Sequence, residues 1–534
     1  MRVPPTIVFS GHSTSYGQSV SAQPHATIRL AEVLTALALA SDVGHDQPLE
    51  KSLRSTVIAT RLGEQMGLAR QELSAVYYVA LLRSIGCTAN SHETALLIGG
   101  EDRAFLGLVQ ALAGGGAVEW ARAAAQLVAE TAPELAGART ESWFLTAGPA
   151  EARAARDSAC CEVSTALARR LGLPQAVRTG LDQVYERWDG LGPGRIGGDA
   201  LCPPARISHL ADVVEIADRA GGLAAARELV RRRTGHHFDP AVAAVFERCA
   251  ADVLGDLHEG DILAAALDAE PTPHPCCRRS ELQPLALAIA DFADLKSPWM
   301  LGHSPAVAGL AASAARPEDE ETVELAGLLH DLGRVAVPNG IWDKPGVLSS
   351  AQWDRVRLHP YYTERILART PALAELATLA ASHHERLDGS GYHRRVGEDT
   401  LTEPMRLLAV ADAYVAMTAG RPHRPALGAG EAAGQLHKAV AAGQLCGRAV
   451  AAVLQAAGRE RAPAPAAPCG LSEREVEVLG LLSRGLTNKQ IAAELIVSPR
   501  TIQHHVAHIY DKIDRRTRAG AAMFAMEHRL VTAA

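Results

Sequence analysis

Aromatic residues make up only 4% of the 534-residue chain, although 48% of it is hydrophobic. Its apolar material is therefore mostly alanine and leucine, which favours an all-α protein packed through small side chains. An excess of positive charge is also missing. The 53 Lys and Arg are outnumbered by 60 Asp and Glu, for a net charge of −7. That excludes polyanion binding over the whole surface and confines any nucleic-acid contact to a local face. No run approaches the ~18 uncharged apolar residues of a membrane span. The N-terminus lacks a basic segment leading into an apolar one. A cytoplasmic protein without a membrane partner is expected. The nine cysteines are odd in number and form no CxxC spacing. This argues against a zinc ribbon or disulfide framework and for reduced thiols.

What is present divides the chain. Residues 1–24 are rich in Ser, Pro, Gly and His and read as a loose N-terminus. Helical periodicity fills 25–269. The EPTPHPCCR stretch within 270–280 reads as a linker, because its prolines cannot continue a helix. A second helical block covers 281–458. Alternating Pro and Ala make 459–470 a semi-stiff second linker, and a compact unit fills 471–534.

The two helical blocks echo each other. VYERWDGLG from Val184 matches HHERLDGSG from His383. Arg206 and Asp212 follow the first, as Arg406 and Asp412 follow the second. Upstream, Leu81–Gly86 lines up with Leu328–Gly333. Two copies of one helical unit account for this pattern. They differ where chemistry would sit: Arg83 and Ser84 replace His330 and Asp331, and Val184 and Tyr185 replace His383 and His384. His236 and His237, near the end of the first copy, are read as structural.

In the second copy polar groups stand in apolar helices. His330 and Asp331 follow four apolar residues, and Asp412 lies within LLAVADAYVAM. Burying such groups is costly unless they are paired or bind a metal. With His303, His359, His383 and His384 they supply imidazoles and carboxylates, the donor set of iron, manganese or zinc. Asp331 suits a carboxylate shared by two metals.

GLLHDLGRVAVPNGIWDKPGVLS (327–349), His359-Pro360, HHERLDGSGY (383–392) and VADAYVAMTAGRPHR (410–424) together resemble the HD-GYP branch of the HD superfamily. The resemblance implies a helical bundle with a divalent metal pair, iron or manganese, that hydrolyses cyclic di-GMP or a related nucleotide. It makes His303, His330, Asp331, His359, His383, His384 and Asp412 metal ligands. It places Asp331 and Arg334 in the catalytic centre, Arg334 standing for the family's lysine, and Arg421 and Arg424 on substrate phosphates. Trp299 stands where three-metal members carry a glutamate, which argues for two metals. His393 replaces the proline of the GYP triplet, and Val415 an acid common one turn beyond Asp412. The implied chemistry is attack by a metal-activated hydroxide on phosphorus, with arginines matching phosphate geometry. The first copy resembles a degenerate member without a metal centre, suited to packing against the second.

The tail carries helix-start signals in quick succession. Ser472–Glu475 and Thr487–Gln490 are capping boxes, and Ser498 precedes Pro499 at a first helical position. Ile502, Val506, Ile509 and Ile513 form a buried stripe. LSEREVEVLGLLSRGLTNKQIAAELIVSPRTIQHHVAHIYDKI (471–513) is similar to the LuxR-type DNA-binding domain, a four-helix unit with a helix-turn-helix. The similarity implies a double-stranded DNA partner and a homodimer on DNA. Gln503, His504 and Ala507 would face base edges, and Asn488, Lys489, Arg500, Thr501 and Lys512 would hold phosphates. Two functions are thus open: a transcriptional regulator coupled to a nucleotide-sensing phosphohydrolase, or primarily a phosphodiesterase with an accessory DNA-binding tail.

Overall fold

The computed structural model describes residues 27–111, 117–131, 148–255, 257–458 and 467–531. The expected loose N-terminus, and the 459–466 part of the expected second linker, lie outside the described residues. The fold is nearly all helical, as expected. Buried apolar residues from both helical blocks and from the tail form one continuous core.

Helix Leu30–Gly44 shows how the halves are joined. Its sequence, LAEVLTALALASDVG, is apolar on every side, the pattern of a buried helix, and nearly every residue is buried. It packs on Lys51–Gln65 and Arg70–Leu82 of its own block, and on Leu332–Ala336 and Pro371–Leu376 of the other. Polar contacts cross the same seam. Lys296 pairs with Asp102 at 2.6 Å, and the Asn339 N–H donates to the same carboxylate. All of these groups are buried.

One segment departs from the sequence-based expectation. Within the stretch read as a linker, Cys276–Arg278 forms a strand paired antiparallel with Thr27–Arg29. Glu270, at the head of that stretch, accepts from Arg29 at 2.9 Å and from the Tyr78 hydroxyl at 2.5 Å. The segment is thus tied to the body by hydrogen bonds that three-residue strands do not announce.

A set of contacts recurs in the two blocks. Asp42 accepts from the Ser52 N–H (3.1 Å) and hydroxyl (2.5 Å), and Asp294 from those of Ser304 (2.9 and 2.7 Å). Arg206 Nε donates to the Leu201 carbonyl at 2.7 Å, and Arg406 Nε to that of Leu401 at 2.8 Å. Glu186 accepts from Gly194 and Ile196 N–H, and Glu385 from Arg394 and Val396. Trp188 N–H donates to the His237 carbonyl, and Leu387 N–H to that of Gln444. A Cβ on Gly86 would run into the Cys160 carbonyl and Ser164 hydroxyl. One on Gly333 would meet the His359 carbonyl and Thr363.

The tail folds as helices Glu473–Ser483, Asn488–Glu494, Pro499–Ile513 and Arg518–Glu527. Both capping boxes form, and Ser498 caps the third helix. The last helix packs against Gly148–Arg170 of the first block. There Glu162 accepts from the Arg516 N–H at 2.9 Å and the Thr517 hydroxyl at 2.5 Å.

Candidate metal centre and nucleic-acid face

Five elements bring seven side chains to one point. His303 opens helix His303–Ala314. His330 and Asp331 follow Glu320–Leu329, and His359 opens His359–Ala368. His383 and His384 follow Ala377–Ala381, and Asp412 lies inside Glu403–Thr418. All are buried except His384, which is partly open. Asp331 is the hub. Its Oδ1 lies 3.3 Å from His359 Nε2 and 3.6 Å from His383 Nε2. Its Oδ2 lies 3.4 Å from His330 Nε2 and 3.7 Å from His303 Nε2. Asp412 faces His303 Nε2 at 3.2 Å and His384 Nδ1 at 3.8 Å. Three overlapping triads have ligand atoms within 4.8 Å of one another: His359–His383–His384, His303–His330–Asp412 and His330–Asp331–His383.

The local backbone orients the rings. Nδ1 of His330, His359 and His383 each lies 2.7 Å from the carbonyl three residues earlier, of Gly327, Val356 and Ala380. Only an N–H satisfies a carbonyl, so each Nδ1 is the donor and each Nε2 is left facing the cluster. Histidines that bind a metal through one ring nitrogen almost always donate the other to a carbonyl, carboxylate or water in this way. Two consequences fit a cation. His330 Nε2 is buried without a hydrogen-bond partner among the described residues. The Nε2 atoms of His359 and His383 are 3.0 Å apart, so as neutral rings they would point lone pairs at each other unless a positive charge sat between them. The donor set fits iron, manganese or zinc.

Burial holds His303 and His359 down to about 4, so both are neutral imidazoles near neutrality. His330 behaves oppositely. Against the desolvation of its site, Asp331 and Asp412 raise it to about 9. Loading a metal near pH 7.5 is therefore expected to expel about one proton from His330. Affinity should rise about tenfold per pH unit until the pH approaches that value. Titration calorimetry in buffers of different ionisation enthalpy counts the proton; zero release would remove His330 from the ligand set.

Other residues singled out by sequence are placed unequally. Arg334 lies 3.4 Å from Asp331 Oδ2, its guanidinium 3.7 Å over the Trp342 ring. Arg421 reaches the edge of the cluster, 3.5 Å from His303 Nδ1, and donates to the Trp299 carbonyl at 2.6 Å. Burial and Arg334 lower it to about 10. Arg424 is turned to other work. It donates to the carbonyls of Ala416, Met417, Ala419 and Pro425, closing the end of helix Glu403–Thr418. Tyr392 was not singled out, yet it stacks on His384 with ring centroids 4.3 Å apart. Its place directly after the GSG turn is the signal that would have found it.

On the tail, Arg500, Thr501, Gln503, His504 and Ala507 are exposed along one side of helix Pro499–Ile513, and Lys489 is exposed on the preceding helix. Lys512 is held by Glu475 at 2.7 Å and by the Gly470 carbonyl. The Asn488 side chain accepts from Arg518 at 3.1 Å. These two side chains brace the unit in this conformation.

Both regions have counterparts among known proteins. Residues 288–444 match the HD domain family, and residues 470–525 match the bacterial regulatory proteins of the luxR family. The chain is 30% identical over 419 residues to 3'3'-cGAMP-specific phosphodiesterase 3 of Vibrio cholerae serotype O1, across 75% of this chain and 89% of that protein. It is 37% identical over 136 residues to the cyclic di-GMP phosphodiesterase PA4108 of Pseudomonas aeruginosa, across 24% of this chain and 33% of that one. The crystal structure of a cyclic GMP-AMP specific phosphodiesterase of V. cholerae superposes with a TM-score of 0.56 at 25% identity, covering 82% of this chain and 99% of that one. Among the described residues no helix is long and apolar enough to cross a membrane. With so much of both chains aligned, the protein belongs to the HD-domain phosphodiesterase family of that V. cholerae enzyme, and bears a luxR-family helix-turn-helix unit behind it.

Proposed function

We propose that the protein is a metal-dependent phosphodiesterase acting on a cyclic dinucleotide, with a DNA-reading tail. The observation that carries this is the pair of Nε2 atoms from His359 and His383 at 3.0 Å, set around the shared carboxylate of Asp331. A divalent pair held by His303, His330, Asp331, His359, His383, His384 and Asp412 would supply an activated hydroxide and neutralise the phosphate. The chain's own groups do the rest. Asp331 spans both sets of imidazoles, Arg334 and Arg421 present fixed positive charge at the edge, and Tyr392 offers a ring beside His384. Hydrolysis of 3'3'-cGAMP and cyclic di-GMP, measured after loading with Fe(II), Mn(II) or Zn(II), tests the reading. A metal-loaded protein that cleaves neither would leave a sensor.

The recurring contacts support reading the first block as a degenerate copy. On that reading Lys51 stands where His303 does, since each precedes the serine bound to the buried aspartate. Arg83 takes the place of His330, Cys160 that of His359, and Tyr185 that of His384, while Asp212 answers Asp412. Lys51 and Arg83 both pair with Asp212. A fixed ammonium and guanidinium thus take the place of metal charge.

The exposed Gln503 and His504 support the DNA-reading role. Binding to a selected operator is expected to weaken steeply as salt rises. Gln503→Ala should cost about 1–3 kcal/mol and relax specificity at one base pair. Fluorescence anisotropy across a salt series measures both; affinity indifferent to salt would rule the interface out.

A further inference from the structure

Trp342 stands outside the His–Asp cluster but touches one of its imidazoles and the arginine at its edge. Its indole N–H donates to the Arg334 carbonyl at 3.2 Å. The guanidinium of that same residue lies 3.7 Å from the ring centroid. The ring also meets His359 edge-on, with centroids 5.6 Å apart. Behind it lie buried Val337, Ile341 and Val356, a small apolar cluster apart from the main core. The indole is thus fixed by packing and by a hydrogen bond to the residue whose side chain rests on it.

What the ring does for Arg334 follows from the neighbouring carboxylate. Among the described residues, Asp331 is the only hydrogen-bond partner of the Arg334 guanidinium, and the contact is long, 3.4 Å from Nη1 to Oδ2. An unrestrained arginine–carboxylate pair closes to about 2.7–2.9 Å, often through two parallel bonds. A guanidinium closed on Asp331 in that way would take the lone pairs that the carboxylate turns toward His303, His330, His359 and His383. It would also use up the N–H groups that a substrate phosphate needs. The indole face offers the flat cation a competing attraction, which is lost if the guanidinium swings onto Asp331.

We propose that Trp342 is a positioning residue: by stacking, it holds the Arg334 guanidinium back from Asp331, so that the carboxylate stays open to a divalent metal and the N–H edge to a substrate phosphate. The inference rests on reading the cluster as a metal centre. It goes beyond that reading by giving a role to a residue that is neither a ligand nor in contact with the reacting atoms. Trp342 acts wholly through Arg334, and this separates it from a residue that only fills space.

The test is a double-mutant cycle on the full-length protein: parent, Trp342→Leu, Arg334→Gln, and both changes together. Free Mn(II) followed by electron paramagnetic resonance gives the metal affinity, and hydrolysis of a cyclic dinucleotide gives the second readout. In Trp342→Leu, Mn(II) affinity is expected to fall about tenfold, the size of a desolvated cation–π contact, and the rate to fall with it. Trp342→Phe keeps a ring face and should hold both within about threefold of the parent. Made on Arg334→Gln, the Trp342→Leu change should cost no further affinity and no further rate, because no guanidinium is left to release. Thermal melts check that each protein folds; if Trp342→Leu does not, Trp342→Met takes its place in the cycle. An equal loss on both backgrounds would mean that the indole only packs the site, and would overturn the proposal. Parent-like Mn(II) affinity in Trp342→Leu would overturn it as well. A parent that binds no Mn(II) would be a different failure, striking the metal centre itself.

Discussion

Asp331→Ala is expected to lower cyclic-dinucleotide hydrolysis by about 10³-fold or more and to abolish stoichiometric metal. The reason is its reach. One oxygen lies 3.3 and 3.6 Å from His359 and His383, and the other 3.4 and 3.7 Å from His330 and His303. No other carboxylate of the cluster approaches all four rings. Lewis-acid stabilisation by bound metal amounts to several kcal/mol, and each ~1.4 kcal/mol is tenfold in rate. Metal analysis together with single-turnover hydrolysis measures the effect. The tail's DNA binding should survive in this variant, because its helices are capped and packed without the cluster. Full metal occupancy in Asp331→Ala would dissolve the proposed centre.

Lys51→Ala should produce the largest loss of stability, about 3–5 kcal/mol. Lys51 is 1% exposed and pairs with Asp212, itself 6% exposed. Removing the ammonium leaves a buried carboxylate with only Arg83, 3.4 Å away. Against the desolvation of its site, Lys51 and Arg83 hold the Asp212 carboxyl below its usual range. Its contribution is therefore present above the unfolded carboxylate value near pH 4 and is lost as the pH falls further. The double change Lys51→Met with Asp212→Leu should recover much of the loss, since replacing a whole buried pair by apolar groups is often neutral. Urea midpoints of the three proteins decide it. A single variant as stable as the parent would show that the pair carries no charge balance.

What the sequence made legible follows from how local the physics is. The capping boxes at Ser472 and Thr487 involve four consecutive residues each, and both are present as read. His330, Asp331 and Asp412 stood out because charge in an apolar helix demands a partner, and the fold brings them together. Lys51 and Cys160 did not stand out. Each is ordinary in its own helix, and its proposed correspondence to His303 or His359 rests on contacts made across the bundle. Arg424 illustrates the converse. Its motif pointed to phosphate, but the carbonyls at the end of helix Glu403–Thr418 take its donors, and a helix end is not written in a motif. The strand at Cys276–Arg278 is too short for alternation to reveal.

The pairing of Thr27–Arg29 with Cys276–Arg278, and the bed that Leu332–Ala336 provides for helix Leu30–Gly44, bear on how the chain is made. On the ribosome, residues near 30 must wait for some three hundred more before their final neighbours exist. Such high contact order slows folding and lengthens the exposure of an alanine- and leucine-rich helix. Truncations ending before residue 332 should accordingly be retained by chaperones or aggregate, however complete their first block looks.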